Sequence, residues 1–119
     1  MSTFNNVFGV PMSARVAVYV PGTVGAVSED SGAAAAMVER VAGKLSALFG
    51  GATISAASGA WMSETFGLVR EAVQIVYSYT TEESLEQHAG EIRAIAEQVK
   101  TEMRQEAVSV EINNALYLV

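Results

Sequence analysis

The chain contains no cysteine. That excludes a disulfide framework and any thiolate-held metal, and it suits a reducing compartment. Histidine occurs once, at His88. With no second histidine at helical spacing and no adjacent Glu, the usual zinc patterns are missing, so no metal and no cofactor is expected. No apolar run approaches the roughly 20 residues that cross a bilayer. The first residues lack a basic stretch followed by an apolar one, so a signal peptide is not expected either. These absences point to a cytoplasmic protein without a membrane partner. Bases are scarce too: seven Lys and Arg stand against thirteen Asp and Glu, a formal charge of −6. Phosphate backbones repel such a chain, so nucleic acid is not an expected partner.

What is present is a core. Half of the 119 residues are hydrophobic and only 17% are charged, a composition that packs rather than stays disordered. The length suits one domain. Residues 1–14 read as an N-terminal arm, and residues 15–119 as a single α+β sandwich domain. Arg15–Val20 alternates Val16, Val18 and Val20 with Ala17 and Tyr19, the period of a strand, and Pro21-Gly22 stops it. A loop runs to Ser31, the expected cap of a first helix, with Glu29 and Asp30 near its positive end. Met37, Val38, Val41, Leu45, Leu48 and Phe49 share one helical arc, and Gly50-Gly51 supplies the stop. Thr53–Met62 and Leu68–Tyr79 read as a hairpin. Thr80 with Glu83 has the form of a capping box before a second helix that runs to about Arg104. Val108, Val110 and Ile112 mark a returning strand. Asn113-Asn114 is a two-residue turn, and Ala115–Val119 pairs back.

The first six elements match the ferredoxin-like split βαβ, βαββαβ, here followed by a C-terminal hairpin strand. Right-handed crossovers then place both helices on one face of a mainly antiparallel sheet. Parity assigns Val16, Val18, Val20, Val73, Ile75, Val108, Val110 and Ile112 to the helices, joined by Tyr117 and Val119. The open face then carries Ala17, Tyr19, Gln74, Val76, Ser78, Ser109, Glu111, Leu116 and Leu118. That row is too apolar for a solvated sheet face, and large apolar patches mark contact surfaces. Three coverings are possible: a second copy in a homodimer, residues 1–12 folded over it, or a different protein. Tyr19, Val76, Glu111, Leu116 and Leu118 are the expected binding residues.

Candidate chemistry is sparse. Pro21-Gly22-Thr23-Val24-Gly25 sits where phosphate loops sit, but its spacing is not theirs, and Glu29 and Asp30 would repel an anion. No serine occupies a nucleophile elbow. His88 falls on the apolar arc of its helix and reads as a core-edge residue. Trp61 and Tyr77 could stack on a ligand ring, although aromatics at strand ends more often pack. Glu111 and Tyr19 share the open face. A carboxylate closed into an apolar site has a raised pKa and serves as acid or base, so these two are the catalytic candidates.

Val16-Ala17-Val18-Tyr19-Val20-Pro21-Gly22-Thr23-Val24, Phe49-Gly50-Gly51-Ala52-Thr53 and Gln105-Glu106-Ala107-Val108-Ser109-Val110-Glu111-Ile112-Asn113 resemble the start, middle and end of small α/β proteins scattered through bacteria, phages and plasmids. No activity is established for those proteins. The resemblance implies a phage or mobile-element origin and a compact fold, and it carries no catalytic residues. With no catalytic constellation in the sequence, the expected function is a non-enzymatic protein-binding module acting on a host or defence component. Two alternatives stand beside it. One is a small dimeric enzyme or ligand-binding protein with its pocket on the open face. The other is an acidic nucleic-acid mimic, suggested by the eight acids and three bases of Glu82–Glu111.

Overall fold

The computed structural model describes residues 2–25, 28–29 and 31–119, the side chains of residues 28, 29 and 31 excepted. The element order is α1 (Thr3–Phe8), β1 (Ala14–Pro21), β2 (Thr23–Val24), β3 (Ser28–Glu29), α2 (Ser31–Phe49), β4 (Thr53–Ser63), β5 (Gly67–Thr80), α3 (Glu82–Gln87), α4 (Ala89–Glu102), β6 (Ser109–Ile112) and β7 (Ala115–Leu118). Five strands form one antiparallel sheet in the order β4-β5-β1-β6-β7, and β2 and β3 form a separate ribbon. The architecture is α+β, as the pattern of elements predicts.

The core lies between one face of the sheet and the helices. Val16, Val18 and Val20 of β1, Val76 of β5 and Val108 and Val110 beside and within β6 meet Met37, Val41 and Leu45 of α2, Leu85 of α3, and Ile92, Ile95 and Val99 of α4. Full burial of each such side chain stabilises the fold by about 1.5–3 kcal/mol. Several local signals act as the sequence predicts. Gly50, at φ +90°, ends α2, and its N–H donates to Ser46 O at 2.7 Å. Asn113, at φ +55°, turns the last hairpin. Its Oδ1 accepts from the Arg15 N–H at 2.9 Å, and its Nδ2 donates to Glu82 Oε1 at 2.8 Å.

Three expectations need correction. The first concerns β5. Val16 pairs with Ser78, Val18 with Val76 and Val20 with Gln74, so Gln74, Val76 and Ser78 face the helices and Val73 and Ile75 face away. Val76 is fully buried and cannot belong to an open-face binding surface. Both rows of this strand contain apolar residues, so alternation alone does not choose between them. The row of smaller groups suits the Ala-rich first half of α2, and Ser78 Oγ donates to Gly51 O at 2.6 Å, which satisfies its buried hydroxyl.

The second concerns the helix after β5. Its cap is Thr81, whose hydroxyl accepts from the Ser84 N–H at 3.1 Å. Thr80 is the buried last residue of β5. The helix also breaks at His88, which leaves helical geometry at ψ 14°. The third concerns the loop after β1, which contains the β2–β3 ribbon. The cap expected from Ser31, Glu29 and Asp30 lies outside the described residues.

The arm contains a short helix rather than a loose segment. Its cap is Ser2, whose hydroxyl accepts from the Phe4 N–H at 3.1 Å. Phe4 and Phe8 stack at 6.3 Å yet remain 72% and 80% exposed. No residue of α1 is buried, so the arm leaves the open sheet face uncovered. Among the described residues, no helix is long and apolar enough to cross a membrane.

Candidate functional site

The open face is more apolar than the sequence suggests, because β5 turns its bulkier row outward. Val73, Ile75, Tyr77 and Tyr79 join Ala17 and Tyr19 of β1 there. Ser109 and Glu111 come from β6, and Leu116 and Leu118 from β7. Ala17 pairs with Tyr77 on one side and Glu111 on the other. It is fully buried under its neighbours without belonging to the helix-side core.

Tyr19 and Glu111 meet. The phenol donates to Glu111 Oε1. That hydrogen bond is the main reason the Tyr19 pKa lies above the ordinary tyrosine value. Partial burial and the nearby carboxylate charge raise it further, and Arg15 acts in the opposite sense. The phenol therefore stays protonated at neutral pH and works as a donor. Arg15 holds its guanidinium over the Tyr77 ring at 4.2 Å, and Tyr77 meets Tyr79 edge to face at 6.0 Å. Arg15 Nε is buried and has no hydrogen-bond partner among the described residues.

A raised phenol pKa means that the hydrogen bond supports the fold fully below the ordinary pKa of about 10 and loses that contribution as pH climbs through the raised value. In Glu111→Gln, the Tyr19 titration is expected to move to lower pH. Tyrosinate absorbance across an alkaline titration reads this directly, and unchanged curves would rule the pair out as the cause.

Beyond Tyr19, toward the β4–β5 hairpin, the same face opens into a cavity of 370 Å³. Its walls are Tyr19 and Pro21 of β1, Ala57, Ser58 and Gly59 of β4, Glu71, Val73 and Ile75 of β5, and Gln105, Ala107, Val108 and Ser109 around the start of β6. Glu71 pairs with Gly59, and the missing side chain there gives it room. A Cβ at Gly59 would already touch Glu71 Cγ at 3.7 Å. Glu71 is half-buried and makes no hydrogen bond or ion pair with a described residue. Gln105 fixes the opposite rim. Its Nε2 donates to Thr23 O at 3.0 Å and Met103 O at 2.9 Å, with a longer contact to Gly25 O at 3.5 Å. These bonds tie the loop after β1 to the end of α4.

Of the expected residues, Tyr19 and Glu111 come together, and Leu116 and Leu118 share their face at its exposed edge. Val76 lies on the other side of the sheet. Sequence reasoning missed Glu71. One signal was available: the parity that sent Val73 to the helices also sent Glu71 there, an improbable place for a carboxylate. His88 stands apart, its Nδ1 at 2.8 Å from Glu91 Oε1 and its ring edge-on to Phe49 at 5.6 Å. Trp61 is half-exposed on the hairpin. Among the described residues, no group of three His, Asp or Glu side chains could hold a metal ion.

No family model and no curated protein sequence matches the chain. Two solved structures share its fold. One is a phage SAM lyase in the apo state, 20% identical, covering 90% of this chain and 88% of its own, with a TM-score of 0.66. The other is a phage SAM lyase in complex with S-methyl-5′-thioadenosine, 21% identical, covering 89% and 88%, with a TM-score of 0.61. Both are enzymes. They overturn the expectation of a non-enzymatic binding module, which rested on the absence of a familiar motif, and with it the acidic mimic. The chain is thus similar in fold to phage SAM lyase across almost all of its length.

Proposed function

We propose that this chain is a lyase acting on S-adenosylmethionine and releasing S-methyl-5′-thioadenosine. The observation that carries the reading is the cavity on the open face. It holds a carboxylate, Glu71, that bonds to no described residue, beside Tyr19, whose phenol Glu111 fixes, in a fold shared with two SAM lyase structures.

The chemistry suits those groups. The substrate sulfonium is a cation, and an acidic chain with a carboxylate and an aromatic ring at one cavity attracts it. When the C–S bond breaks, its electron pair goes to sulfur, and a neutral thioether departs. No water is added in a lyase reaction. The remaining fragment either gives up a proton and gains a double bond or closes on its own carboxylate. In the first case Glu71 takes that proton, while Glu111 accepts the Tyr19 O–H and holds the ring beside the cavity.

Several features support the finer architectural readings. The order β4-β5-β1-β6 is that of a split βαβ, ferredoxin-like sheet, with β7 as an added edge strand. The exposure of residues 2–13 supports an N-terminal arm, with Ala14 as the buried first residue of β1. The phage source of both structural neighbours supports a phage or mobile-element origin. The apolar open face supports self-association, a homodimer being the simplest case, which would also exclude water from the cavity.

Incubation of the purified chain with S-adenosylmethionine tests the function. Chromatography is expected to detect S-methyl-5′-thioadenosine well above the spontaneous background. Background-level product from a folded chain would end the lyase reading. Light scattering on the same sample tests assembly, and a monomer at high micromolar concentration would remove the self-association.

A further inference from the structure

A second cavity lies on the other side of the sheet. It is a 600 Å³ groove between the first half of α2 and the base of the β4–β5 hairpin, within the size range of small-molecule sites. Ala34, Ala35 and Val38 form one wall, and Ile54 and Ala72 the other, with Gln74 between them. Small side chains on both walls leave a slot suited to a flat ring. Gly22 closes one end. Its N–H donates to Ala72 O at 3.0 Å, and a Cβ there would come within 2.9 Å of that oxygen, so the chain packs as tightly as glycine allows.

Gln74 is the informative residue. The register of β5 turns it toward the helices, into a slot whose walls are mostly apolar, yet its amide makes no hydrogen bond with a described residue. A carboxamide offers a donor and an acceptor side by side, the pattern that pairs with the N6 and N7 edge of adenine. Among the described residues no Lys or Arg lines the groove, and the carboxylate of Glu39 does. A phosphate would be repelled there.

We infer that this groove binds the base of an adenine nucleoside carrying no phosphate, with Gln74 reading the base edge. The site faces away from Tyr19 and Glu71, so amide shifts around Gln74 separate it from any adenosine held at the proposed lyase site.

The test uses adenosine and AMP as probes, titrated into the full chain by calorimetry and by amide chemical shifts. Adenosine is expected to saturate and to shift residues of α2 and β5 around Gln74. AMP is expected to bind at least about tenfold more weakly, the scale of one unfavourable charge contact. Gln74→Leu keeps the apolar wall and is expected to weaken adenosine about tenfold or more, the value of a bidentate base contact, with an unchanged melting temperature. Should that variant fail to fold, Ala35→Trp, at an exposed helix position, fills the slot and is expected to abolish the shifts around Gln74. Adenosine that does not saturate, AMP that binds as tightly as adenosine, or folded variants that bind like the parent would each overturn the inference.

Discussion

Glu71→Gln is expected to lower the rate of S-methyl-5′-thioadenosine release at least about a hundredfold, the usual scale for losing a positioned acid–base group. The amide keeps the size of the carboxylate beside Gly59 and removes its proton affinity. The fold should be untouched, because Glu71 forms no bond with a described residue that the substitution could break. The loss should fall mainly on kcat, since an isosteric amide still fills the same wall of the cavity. Steady-state kinetics with a thermal melt of the same preparation separates the outcomes. A folded variant with parental kcat would remove Glu71 from the chemistry. Tyr19→Phe gives a graded comparison, because it deletes one donor and leaves the carboxylate in place.

The second large effect concerns stability. Val76→Asp is expected to remove a large share of the fold's stability. Val76 is fully buried between α2 and the sheet, and an unpaired carboxylate there costs about 4 kcal/mol or more, among the largest values for a single substitution. Small domains have only about 5–15 kcal/mol in total. Tyr79→Asp makes the control. It lies three residues along the same strand, on the opposite face, with half its surface exposed, and is expected to cost about 1 kcal/mol or less. Denaturant unfolding of the two variants reads the orientation of β5 directly. Equal stabilities would contradict the observed register.

That register is also where sequence reasoning reached its limit. β1 and β6 are legible because each carries one apolar row and one mixed row, and the two-residue turn at Asn113-Asn114 locks β7 to them. The meeting of Tyr19 and Glu111 follows from these three strands alone. β5 offers two usable rows, Val73/Ile75/Tyr77/Tyr79 and Gln74/Val76/Ser78/Thr80. The choice falls to long-range terms: the space that α2 leaves above the sheet, and the Gly51 carbonyl waiting for the Ser78 hydroxyl. With β5 reversed, Glu71 disappears from the open face and Gln74 from the helix side, so both cavities become unreadable from one local error. The break at His88 was hidden for a different reason. The apolar arc of the second helix continues across it, and periodicity registers the arc rather than the hydrogen bonds beneath it.

The β4–β5 ribbon has an asymmetry of its own. β1 accompanies β5 only as far as the pairing of Pro21 with Val73, while β4 continues beside it to Ser63 and Gly67. The outer half carries Trp61, Met62, Phe66 and Leu68, all more than half exposed. Among the described residues it has no third strand beside it, so its opening is only weakly tied to global unfolding. The molecule therefore divides into a cooperative body and a projecting finger whose two amide ladders can fray from the tip inward. Sequence drift at that tip would be tolerated by the body, while the finger's base, which forms walls of both cavities, stays under the constraint of the whole fold.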